Sequence, residues 1–150
     1  MIMFLRLILF LVSIVGSMML FAQNENYDPA LAEKLGADEH GMRSYQFVLL
    51  TSGPARDLSK EVRDSLFTGH MQNIKRLADE GKLVVAGPFG KNDRYRGLFI
   101  FTTNTKEETE SLLLTDPAIN GGAFAYEIYP WYGSAALVEV VNIHERISRK

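Results

Sequence analysis

His70 stands where the helical period calls for an apolar side chain. The segment Glu61–Glu80 carries Val62, Leu66, Ile74 and Leu77 at helical spacing. At about 100° per residue His70 falls inside that apolar arc. An imidazole aimed at the interior can take and return a proton near neutral pH, so His70 is a candidate general acid or base. The plainer reading is a core histidine bonded to a backbone carbonyl. A second titratable side chain, Asp116, stands in the step Asp116-Pro117. A carboxylate within reach would orient the ring and leave its other nitrogen for a substrate. The same aspartate also suits the N-cap of a turn that opens on Pro117, and the two roles are compatible. Gly87-Pro88 reads as a turn at a strand end, or as a backbone wall lining a pocket. Tyr126 and Trp131, with Tyr129 and Tyr132, are candidates for lining an apolar pocket, or for core and dimer interface.

Other chemistries find no support in the 150 residues. There is no cysteine, which excludes disulfides, zinc-thiolate sites and thiol nucleophiles. The three histidines, His40, His70 and His144, lack ligand-like spacing, so no metal is expected. His40 and His144 sit among charged residues and read as exposed. Gly87 and Gly90 form no phosphate loop, no dinucleotide motif follows, and no cofactor is expected. Ser65 lies off the helix face of His70, and no nucleophile elbow occurs. A formal net charge of −2, without a basic cluster interleaved with aromatics, excludes a nucleic-acid partner.

The elements that must position His70 and Asp116 can be read along the chain. Residues 1–22 hold one early positive charge, an apolar run Leu7–Phe21 and a small residue, Ala22, before polar Gln23. That pattern predicts a secretory signal cut after Ala22, an exported and periplasmic protein, and no membrane contact once the signal is gone. An uncleaved anchor is the alternative. Residues 23–43 form a polar leader with a short helix ending at Gly36. Residues 44–132 hold strand Ser44–Thr51, the His70 helix, strand Leu83–Ala86, strand Leu98–Thr103, a helix capped by Thr105 and Glu108, and strand Phe124–Trp131. Residues 133–150 are a tail with helical character over Leu137–Arg149.

This β-α-β-β-α-β order predicts an α+β, ferredoxin-like fold with a four-stranded antiparallel sheet and its helices on one face. Both sheet faces are apolar, because Leu98 and Ile100 point one way while Phe99 and Phe101 point the other. A second copy, packed sheet to sheet in a dimeric barrel, is the simplest cover for the open face.

Gly69-His70-Met71, Glu80-Gly81-Lys82-Leu83, Ala86-Gly87-Pro88 and Asp116-Pro117, in this order, resemble the YCII-related (YciI-like) domain family over about Tyr45–Trp131. The resemblance implies a ferredoxin-like homodimeric barrel and an acid–base pair falling on His70 and Asp116. It also implies chemistry of isomerase, lyase or dehydrochlorinase type, since some relatives dehydrochlorinate chlorinated hydroxyhydroquinones and muconolactone isomerases share the wider fold. Two functions follow as expectations. One is a cofactor-independent acid–base enzyme acting on a small cyclic or enol-type molecule. The other is a non-catalytic module that binds a small ligand or another protein. A solvent-reachable pocket shared by His70 and Asp116 would favour the enzyme.

Overall fold

Apolar alternation along four segments builds a four-stranded antiparallel sheet in the order β2-β3-β1-β4. The computed structural model describes residues 25–91 and 93–149, so the expected signal, residues 1–22, lies outside the described residues. Residues 32–150 group as one unit, and the whole sheet belongs to it. The strands are β1 (Met42–Ser52), β2 (Leu83–Pro88), β3 (Tyr95–Phe101) and β4 (Phe124–Ser134). A first short helix, α1 (Pro29–Leu35), precedes them. Helices α2 (Lys60–Asp79), α3 (Lys106–Leu113) and the short α4 (Pro117–Asn120) connect them. The fold is α+β and ferredoxin-like, as the order of elements requires.

Local chemistry sets the helix ends. Ser59 Oγ accepts the backbone N–H of Val62 at 3.3 Å to open α2, and Gly81 takes the left-handed φ of 67° just past its end. Thr105 Oγ1 accepts from Glu108 N at 3.1 Å. Glu108 returns the bond to Asn104 N at 3.3 Å, one residue earlier than a strict capping box.

One face of the sheet is closed by the helices. Val48, Leu50, Phe99 and Phe101 pack there with Leu77 of α2, Leu113 of α3 and Ile119 of α4. Each such burial contributes about 1.5–3 kcal/mol. The arc of α2 is rotated from the expected one: Val62 is exposed, while His70, Asn73 and Leu77 are buried. Strand β2 also runs further than expected. Gly87 pairs with Leu98 and Pro88 with Gly97, so Gly87-Pro88 continues the strand instead of turning it. Proline is tolerated because β2 is an edge strand.

The opposite face is partly covered from within the chain. A 3-10 turn, Ala135–Glu139, follows β4 and lays Leu137 and Val138 against Tyr45, Val84 and Ile100. Helix α5 (Val140–Ile147) then packs alongside the edge strand β2. Tyr129 and Trp131 on this face remain exposed.

Candidate active site

His70 and Asp116 meet directly. Nδ1 of His70 lies 2.6 Å from Oδ2 of Asp116, with both side chains buried. The second carboxylate oxygen, Oδ1, accepts the N–H of Ala118 at 2.9 Å. Asp116 is therefore at once the N-cap of α4 and the partner of the imidazole. With Asp116 as a carboxylate, which can only accept, Nδ1 carries the proton and donates. Among the described residues the Nε2 atom has no hydrogen-bond partner, and it is not sealed from accessible space. Phe124, Phe67 and Phe99 surround the ring, with centroids at 5.2, 5.9 and 5.9 Å.

Two devices bring the pair together across 46 residues. The first is the absence of a side chain at Gly69, where a Cβ would lie 2.7 Å from Pro117 Cγ. Glycine thus lets α2 approach the Asp116-Pro117 corner closely enough for a short bond. The second is a polar clasp one turn further along α2. Arg76 Nη2 donates to Asn73 Oδ1 and to Thr115 Oγ1, both at 2.8 Å. Thr115 Oγ1 in turn donates to Leu112 O at 2.6 Å. This clasp ties the residue next to Asp116 onto the helix that carries His70.

His70 opens into a cavity of about 410 Å³. Leu50, Met71, Ile74 and Phe99 supply apolar wall, and Gly87 and Pro88 also line it. Tyr126 and Trp131 do not. They are five residues apart on a continuous strand, and an odd separation puts them on opposite faces. Tyr126 packs in the helix-side core and donates its hydroxyl to Glu110 Oε1 at 2.7 Å. Burial, helped by that bond, pushes its phenol up to about 12, which makes it a poor proton donor near neutrality. Trp131 packs beside Tyr45 and Phe47 on the other face.

Two lining residues are not evident from helical or strand periodicity. His144 of α5, exposed as expected, nevertheless borders the His70 cavity. Arg96 borders it too, because it is the extra residue of a β-bulge. Leu50 pairs with Gly97 and Thr51 with Tyr95, which leaves Arg96 unopposed on β1. Its Nε donates to Ser52 Oγ at 2.7 Å. The Gly97 that follows Arg96 was the available signal, since glycine inside a strand often marks a bulge or a close backbone approach. A Cβ on Gly97 would meet Gly87 O at 2.8 Å.

A model of the YCII-related domain matches residues 45–132, the span that carries all but the outer ends of the sheet, helices α2, α3 and α4, and the His70–Asp116 pair. The chain belongs to the YCII-related domain family. Among solved structures, this YCII-related chain is similar to the 5-chloro-2-hydroxyhydroquinone dehydrochlorinase of Burkholderia phenoliruptrix AC1100 in complex with 2,5-dihydroxybenzoquinone. Identity is 22%, coverage is 58% of this chain and 92% of that one, and the TM-score is 0.44. No curated protein matches it in sequence.

Proposed function

We propose that this YCII-related protein is a cofactor-independent acid–base enzyme, of isomerase, lyase or dehydrochlorinase type, acting on a small cyclic or enol-type molecule. One observation carries the reading: a buried imidazole bonded through Nδ1 to a carboxylate while Nε2 opens on a cavity large enough for a ring compound. In this reading Nε2 removes a proton from carbon next to a carbonyl, and the electron pair moves into the enolate. Returning that proton to a different carbon gives an isomerase. Loss of chloride from the enolate gives a dehydrochlorinase. Asp116 keeps Nδ1 protonated and the ring aligned throughout, so it is a positioning residue. Phe99 and Phe124, packed against the ring, keep water from its sheet side.

The test is carbon–hydrogen exchange in deuterated water, followed by NMR, on ring enol lactones and hydroxyquinones. The wild type exchanges protons next to the carbonyl. His70→Gln lowers the rate about 10²–10⁴-fold with an unchanged circular dichroism spectrum. Asp116→Asn lowers the rate and alters its pH profile, because the amide no longer fixes the tautomer. Exchange that survives His70→Gln overturns the reading. Ring compounds that bind without exchange point instead to a non-catalytic binding module.

We also propose that the enzyme acts after export, with residues 1–22 removed and the periplasm as its compartment. Mass spectrometry of protein from its native cell then reads an N-terminus at Gln23. Intact Met1 in the membrane fraction would replace export with an anchor.

A further inference from the structure

The His70 cavity is mostly apolar, yet a larger cavity of about 600 Å³ adjoins it, and Phe67, Arg96 and Phe124 wall both. The larger one has a different character. Arg56, Arg63 and Arg96 line it against a single acidic residue, Asp64. Asp64 is already engaged by Lys60, 2.5 Å away. Among the described residues, the guanidinium groups of Arg56 and Arg63 make no ion pair or hydrogen bond. This concentration of positive charge sits on a chain whose net charge is −2.

The loop that carries Arg56 is held in place by backbone bonds. Gly53 N donates to Ala123 O and Ala55 N to Gly122 O, both at 2.9 Å. A Cβ on Gly53 would lie 2.1 Å from Gly122 O, so only glycine permits this close approach. Arg63 comes from the first turns of α2, and Arg96 from the bulge of β3. Three separate elements thus each contribute an arginine to the wall of one cavity, which shares Phe67, Arg96 and Phe124 with the His70 cavity.

We infer that the substrate is a ring compound bearing a carboxylate, with its anionic group held by Arg56, Arg63 and Arg96 and its ring in the His70 cavity. The inference rests on the proposed acid–base reading of that site and names its substrate class. Guanidinium groups pair with carboxylates through charge-assisted bonds. The shared wall of Phe67 and Phe124 gives the ring an apolar seat between the two cavities. A negative ligand would also be drawn toward a local positive field on an otherwise acidic protein.

The test compares benzoate with benzamide, which differ in charge but hardly in shape, by calorimetric titration at low salt on the full protein. Wild type binds benzoate about tenfold more tightly than benzamide or better, and added salt reduces the difference. Arg56→Gln with Arg63→Gln, both at exposed positions, abolishes the preference. His70→Gln retains it. A failure of proton transfer therefore leaves this result standing, and the two readings fall separately. Equal affinity for the two probes, no benzoate binding in the millimolar range, or a preference that survives the double variant overturns the inference.

Discussion

Gly69 does for His70 what no neighbouring side chain does. Its missing Cβ sets the closeness of α2 and Pro117, and so the 2.6 Å contact of imidazole and carboxylate. Gly69→Ala therefore places a methyl 2.7 Å from Pro117 Cγ and forces the corner away from the helix. The substitution costs about 1–3 kcal/mol of stability by overpacking, offset in part by alanine's better helix propensity. Activity falls by more than stability does, because the chemistry depends on tenths of an ångström. Denaturant titration beside the exchange assay checks this, and a variant with full activity would refute it.

Helix α2 carries both ends of the site, with Arg63 in its first turns and His70 midway, while the Asn73–Arg76 clasp locks its second half to Thr115. Helix α5 contributes in another way. Val141 and His144 line clefts beside Ile74 and Ala78 of α2, and His144 reaches the edge of the His70 cavity. Truncation after Glu139 should leave the sheet folded, since Leu137 and Val138 stay in place on the second face. It should lower stability by about 1–3 kcal/mol through lost apolar burial and weaken benzoate binding by removing a wall. Thermal unfolding and titration measure both effects. Unchanged binding in the truncated protein would show that α5 plays no part in the cavity.

On the second face Trp131 and Tyr129, two residues apart on β4, stay 38% and 47% exposed, and neighbouring exposed aromatics of this kind mark an interaction surface. The 3-10 turn covers only the part near Tyr45, Val84 and Ile100. We propose that a second copy covers the remainder, sheet against sheet. Light scattering on residues 23–150 then gives twice the monomer mass. Trp131→Glu lowers that mass to the monomer's by placing a charge in an apolar interface. A wild-type monomer at micromolar concentration would mean that the tail alone suffices.

Patterning and local chemistry made the framework legible. Period-2 and helical runs placed the strands and helices, and Thr105, Glu108 and Gly81 marked helix boundaries close to the observed ones. Asp116 and Pro117 announced a cap, and His70 announced itself by interrupting an apolar arc. These signals are carried by residues within a turn or two of each other. The contact of His70 with Asp116 joins positions 46 apart, and only the packing of α2 on the Pro117 corner creates it. Trp131 fell out of the pocket through the parity of its strand, which periodicity could have revealed. Arg96 entered through a bulge, where one extra residue breaks that same parity. The arginine-lined cavity lies further from any linear pattern, because its three guanidinium groups come from a loop, a helix and a strand. Their assembly depends on backbone approaches at Gly53 and Gly97, and such approaches exist only once the chain has folded.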